Sequence, residues 1–243
     1  ELPVASDGPA IGPRTIRGGL LLTPTDSNPE RIILDDAILP TPPNVNVGDH
    51  FDGPAIGVLD YNFGNFMLEL AKPLARVDGG LQREITAAAA ANELSIATFN
   101  VENLDVGDGA AKFDGLADRI VHNLRSPKIV ALEEVQDNNG PTDDGTVDAD
   151  VTLNRLVAAI QAAGGPAYSY TYISPVNDED GGEPGGNIRI AFLYDTAAGV
   201  SLPAGATKGG STDANAVVTD ASGALHLALD PGRIDPLNAA WSD

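Results

Sequence analysis

The chain has 243 residues and no cysteine. That excludes a disulfide framework, a thiolate nucleophile and a cysteine-based zinc site. Stability must come from packing or from hard, oxygen-bound cations. Positive charge is scarce too: 14 Lys and Arg stand against 35 Asp and Glu, a formal charge of −21. A chain held on nucleic acid by its whole surface shows a basic footprint, and this one lacks it. A hydrolase needs only a local cationic centre, which a bound divalent ion can supply. The bulk acidity reads as a solvated surface of the kind found in secreted or salt-adapted proteins. No apolar run approaches the roughly 18–20 residues of a membrane span, so none is expected. The first residue is Glu1, with no signal-peptide pattern before it, which fits a processed or trimmed chain.

What is present suggests an α/β (α+β) protein of two parts. Hydrophobic residues make up 42%, enough for ordinary globular cores. Residues 1–75 are punctuated by Pro and Gly and carry short β-type runs at Thr15–Leu22, Arg31–Leu34 and from Gly57 to Leu70. In the last of these, Asn-Phe-Gly-Asn reads as a hairpin turn between two strands. A small β-barrel or sandwich is expected there. Residues 76–93, with five consecutive alanines, read as a linker, a short helix being the other option.

From Leu94 the pattern becomes strand, helix, strand, helix, strand, strand. LSIATF is a β-type run. FDGLADRIVHNL places Phe113, Leu116, Ile120 and Leu124 near helical spacing, with Asp114 in the first turn. IVALEEV is a second strand. DVTLNRLVAAIQAAGG is a second helix, with Asp150 as N-cap candidate and Gly164-Gly165 as its stop. A strand near Tyr168–Ile173 and the strand NIRIAFLY complete the pattern. AVVTD and ALHLAL are strand-like stretches in an Ala/Gly-rich close.

Three motifs in this second part occur in order: IATFNVENL (Ile96–Leu104), IVALEEVQDNNG (Ile129–Gly140) and PGGNIRIAFLY (Pro184–Tyr194). Together they resemble the endonuclease/exonuclease/phosphatase superfamily, whose members include DNase I-like nucleases, abasic-site endonucleases and bacterial sphingomyelinases. With Gly48-Asp49 and the Gly57–Gly64 stretch upstream, the likeness is greatest to secreted bacterial extracellular nucleases. The resemblance implies a four-layer αββα sandwich, of which 94–243 would be the N-terminal half. Its general acid/base histidines, an Asp-x-Asn pair and a terminal Asp-His motif would lie in the missing C-terminal half. The chain is thus expected to be a fragment, inactive alone.

The resemblance also implies a site. An Asn after the first strand and a Glu ending the next map onto Asn100 and Glu134, as catalytic residues and metal ligands for Mg²⁺, or Ca²⁺ or Mn²⁺. The chemistry agrees: a phosphodiester resists attack until a hard cation neutralises its oxygens, and Mg²⁺ favours one or two carboxylates plus waters. Glu102 either reaches the ion through water or is a solvated carboxylate. Strand alternation sends Glu133 to the face opposite Glu134. Asn187 and Arg189 are candidate substrate-binding residues; Arg189 would grip a phosphate bidentately or pair with local carboxylates. The acidic loop Asn177–Glu183 lacks EF-hand spacing and reads as solvated. His50, His122 and His226 have no motif context. The expected substrate is extracellular DNA or RNA. A lipid or small-molecule phosphodiesterase, or a non-catalytic surface or assembly protein keeping the fold, are the alternatives.

Overall fold

The computed structural model describes residues 2–5, 21, 23–25, 31–39, 44–90 and 92–236. The chain is α+β and divides into two compact units, Glu1–Arg83 and Glu84–Asp243. The division falls inside the stretch read as a linker, whose described residues from 78 to 93 form no helix. Among the described residues no helix is long and apolar enough to cross a membrane.

The first unit contains β1 (Leu2–Ala5), β2 (Arg31–Asp35), β3 (His50–Asp52), β4 (Gly57–Asn62), β5 (Asn65–Leu70) and β6 (Ala75–Val77). Four of them form one sheet in the order β1-β2-β5-β4, and β3 pairs with β6 as a separate ribbon. The expected barrel is therefore not closed among the described residues. Parallel pairing of β2 with β5 leaves β1 and β4 at opposite edges. The Thr15–Leu22 run lies outside the described residues, Leu21 apart. The hairpin stands where the sequence places it. Phe63 and Gly64 both take positive φ, 48° and 75°, the requirement of a two-residue type I′ turn. Asp49 of the Gly-Asp pair is structural. It accepts hydrogen bonds from Asn46 N at 2.7 Å, Gly79 N at 2.9 Å and Arg76 Nε at 2.6 Å. Those backbone donors, more than Arg76, lower its pKa to about 2.

The second unit begins with β7 (Ile96–Leu104), α1 (Ala110–Asp118), β8 (Ile129–Val135) and α2 (Asp150–Ala162). β9 (Ser169–Tyr172), β10 (Arg189–Tyr194) and the small hairpin of β11 (Val217–Thr219) and β12 (Leu225–Leu227) follow. The main sheet runs β7-β8-β10-β9. β7 is parallel to β8, as a strand-helix-strand crossover requires, and β8–β10 and β10–β9 are antiparallel. Phe113, Leu116 and Ile120 from the α1 region join Leu153, Leu156 and Ile160 of α2 over Val130, Leu132, Ala191 and Leu193 in one core. The other face of the sheet is open, with Ile96, Ile190 and Phe192 exposed by 62%, 55% and 40%.

Helix ends differ from expectation. α1 starts at Ala110, so Asp114 lies beyond its first turn, and it widens into a π-helical turn over Arg119–Asn123. In α2 the N-cap position is Ala149. The orphan N–H of Val151 is met from outside the helix by Asn138 Oδ1 at 2.8 Å, while Asn138 Nδ2 donates to Asp150.

One buried hydrogen bond ties β9's approach to β8's. The hydroxyl of Tyr168, 4% exposed, donates to Pro127 O, and burial raises its pKa well above the tyrosine norm. Tyr168→Phe leaves that carbonyl without its donor. A loss of about 1 kcal/mol is expected, read as a lower urea midpoint with unchanged m-value. No change in midpoint would mean water replaces the hydroxyl.

Candidate functional site

The site forms where two neighbouring strands break their register together. Asn100 of β7 pairs with Glu133 of β8, but the next pair is Leu104 with Val135, so β7 carries two extra residues. Against β10, Arg189 pairs with Val135 and Ala191 with Leu132, so β8 carries one extra. The backbone shows where they sit. Glu102 and Asn103 in β7 have φ of 55° and 52°, and Glu134 in β8 has φ of 61°. Non-glycine residues pay for that region, and bulges of this kind re-aim side chains beside functional sites.

The re-aiming is visible in burial. Val130 and Leu132 point into the core, and alternation would send Glu134 after them. Instead Val135 takes the buried place and Glu134 stays half-buried. Its Oε1 accepts a 2.6 Å hydrogen bond from Asn100 Nδ2. Glu133 is the register partner of Asn100, and it is Glu134, past the bulge, whose side chain reaches Asn100.

Asn100 thus positions the carboxylate with its amide. Its Oδ1 accepts the backbone N–H of Glu102 at 2.8 Å, closing the β7 bulge. The side chain of Glu102 is exposed and makes no hydrogen bond to either residue, while its carbonyl accepts from Lys112 Nζ at 2.7 Å. Two residues passed over in the sequence brace the pair of bulges: buried Gln136 donates through Nε2 to Asn103 Oδ1 at 2.8 Å. No local pattern marks this contact, since it spans the two strands.

A hard divalent ion fits this donor set in one way. Oε1 of Glu134 is held by Asn100, and no protein hydrogen bond engages Oε2, which suits a one-carboxylate site completed by water. Among the described residues no three His, Asp or Glu side chains gather into a protein cage. None of the three histidines hydrogen-bonds to Asn100, Glu102 or Glu134; His122 stands 3.9 Å from Asp118 on the helix.

Asn187 and Arg189 are placed elsewhere, in a buried polar knot. Asn187, 2% exposed, donates to Asp137 Oδ2 at 3.0 Å, Thr146 O at 2.9 Å and Asn177 Oδ1 at 3.1 Å. Its own Oδ1 accepts from Asp178 N at 3.0 Å. Arg189, 5% exposed, gives Nη1 to Val147 O and Nη2 to Asn187 O at 2.6 Å, with its guanidinium over Tyr172. Burial lowers its pKa, opposed first by Asp137 and then by Tyr172, Asp148 and Asp180. Of the two readings open for Arg189, a phosphate grip meets a buried guanidinium whose two terminal nitrogens each donate to a backbone carbonyl, with Nε left unpartnered.

Comparison with known proteins reaches only the first unit. No curated protein and no solved structure matches the chain. Residues 1–78 match a family described as a domain of unknown function (DUF8508), which stops short of every residue of the Asn100–Glu134 pair.

Proposed function

We propose that the second unit carries the metal-binding rim of a divalent-cation-dependent phosphodiesterase of the endonuclease/exonuclease/phosphatase type, acting on extracellular DNA or RNA. The observation that carries the reading is the 2.6 Å contact of Asn100 with Glu134, made by two coincident bulges. Backbone strain at three positions on two paired strands, Glu102, Asn103 and Glu134, is hard to explain by stability alone, and it delivers an amide-braced carboxylate to a sheet rim. A bound ion supplies charge neutralisation for the phosphate oxygens. Asn100 fixes the rotamer of Glu134, and the Glu102 N–H fixes Asn100 in turn. The acid/base group is assigned to the C-terminal half of the sandwich, whose second sheet would cover Ile96, Ile190 and Phe192.

The test uses a chain long enough to include that half. It is assayed on plasmid DNA, single-stranded RNA, a phospholipid and a small nucleotide diester, with Mg²⁺, Ca²⁺ or Mn²⁺ and with EDTA. Nucleic-acid cleavage that stops in EDTA is expected, because without the ion an acidic surface repels a polyanion. Cleavage of the lipid or nucleotide alone moves the assignment to the other phosphodiesterases. Turnover that persists in EDTA removes the metal mechanism.

A further inference from the structure

A second oxygen-lined cluster gathers at the ends of β7 and β8, and of its atoms the Asn100–Glu134 reading uses only Gln136 Nε2, which braces the bulges. Its members come from three places: Asp105 after β7, Gln136 to Gly140 after β8, and Glu183 to Gly186 before β10. Gln136 is fully buried. Its Nε2 is fixed on Asn103, while its Oε1 has no hydrogen-bond partner. Oε1 of Glu183 is also enclosed and unpartnered. A methyl carbon built on Gly186 would sit 2.7 Å from Gln136 Oε1, 2.9 Å from Glu183 Cγ and 3.2 Å from Gly140 O. One built on Gly140 would sit 2.8 Å from Asp105 Oδ2. Gln136 Oε1 and Gly140 O therefore converge beside Gly186, next to the Glu183 stem, and Asp105 Oδ2 lies beside the adjoining Gly140.

Charge makes the arrangement more demanding. Burial first, and then the negative charges of Asp105 and Asp108, hold the Glu183 carboxyl above the usual carboxylate range. The nearest ammonium, Lys112, is already bonded to Asp108 Oδ2 and Glu102 O, each at 2.7 Å. A buried acceptor left without a donor keeps the cost of its lost hydration. A water has two protons to give, too few for two carboxylates and two carbonyls, and it cancels no charge. A cation meets all of them at once. Mixed ligation by carboxylates, an amide oxygen and a backbone carbonyl in irregular geometry suits calcium; magnesium demands a near-ideal octahedron and keeps its waters.

We propose that Asp105, Glu183, Gln136 Oε1 and Gly140 O form a structural calcium site that fastens the acidic loop before β10 to the ends of β7 and β8. The acidic run Asn177–Glu183, read from the sequence as solvated, ends in one of the ligands. The site does not depend on the catalytic reading, because none of its ligands is Asn100, Glu102 or Glu134.

The test is calcium titration of the full chain after chelation, by calorimetry and by thermal unfolding followed by circular dichroism. Calcium is expected to raise Tm in proportion to the logarithm of its concentration once above Kd, with magnesium less effective at equal concentration. Glu183→Gln keeps shape and removes one charge. It should raise the Tm of the chelated protein and weaken calcium roughly tenfold or more. Asp105→Asn should weaken calcium in the same way, so the conclusion stands if one variant fails to fold. Glu134→Gln should keep the calcium response. Absence of a calcium-linked shift in the unsubstituted chain overturns the proposal, and so does a shift that survives both Glu183→Gln and Asp105→Asn. A response lost in Glu134→Gln alone also overturns it, and assigns the ion to the Asn100–Glu134 rim.

Discussion

Replacing Glu134 with alanine is expected to lower phosphodiester cleavage at least about 100-fold, the scale of losing one preorganised electrostatic element, while the fold survives. Glu134 is half-buried, and its one hydrogen bond is to Asn100. Truncation therefore removes no core volume. Its backbone adds an informative control, for at φ of 61° a glycine is better accommodated than any larger residue. Glu134→Gly should therefore be at least as stable as the unsubstituted protein and still inactive. Stability gained with activity lost is the pattern expected where strain serves a site. Rates from plasmid nicking, set beside urea midpoints for both variants, make the comparison. Activity within about tenfold of the parent would withdraw Glu134 from the mechanism.

Arg189→Ala is expected to act in the opposite sense, costing about 3 kcal/mol or more of stability in the second unit and leaving no well-folded protein in which to measure binding. The substitution strips donors from Val147 O and Asn187 O and removes the positive neighbour of buried Asp137. The knot it belongs to joins the 146–148 segment, the 177–178 loop and the start of β10 through Asn187. Losses in such a knot compound, since each member orders the next. Denaturation followed by tryptophan-independent circular dichroism reports the result. A stable Arg189→Ala protein with a raised KM for nucleic acid would restore the phosphate-gripping role.

These two residues show what a sequence can and cannot disclose here. Ile129–Val135 is legible as a strand because it opens on four apolar residues, two of them β-branched, before its acids. The 57–70 hairpin is legible because its turn residues carry their own geometry. Asn100 and Glu134 were paired through motif resemblance, and they stand in contact. What made them meet was hidden: β7 continues past Phe99 through Asn-Val-Glu-Asn, a polar run whose strand character comes only from pairing with β8. A bulge is a relation between strands, so one strand's residues do not announce it. The same holds for Arg189, whose partners lie 42 positions away at Val147 as well as next door. The parallel pairing of β2 with β5 was equally unannounced by the short runs read there as a small barrel or sandwich.

The coincident bulges have a consequence for how this chain can change its length. Side chains alternate with a period of two, yet Leu132 and Val135 are both buried although three positions apart. Losing one residue between them would restore plain alternation, keep Val135 inward and erase the bulge that holds Glu134 beside Asn100. In β7 buried Val101 and buried Leu104 also stand three positions apart, so losing one residue between them keeps both inward, whereas losing two turns Leu104 outward. A deletion that takes Glu102 also removes the N–H that anchors Asn100. Insertions and deletions in this stretch are therefore coupled across two strands 34 residues apart in sequence. The nearby 141–146 and 178–182 loops tolerate such changes only between the residues they must return to the knot. A strand end usually drifts freely in length; this one is counted.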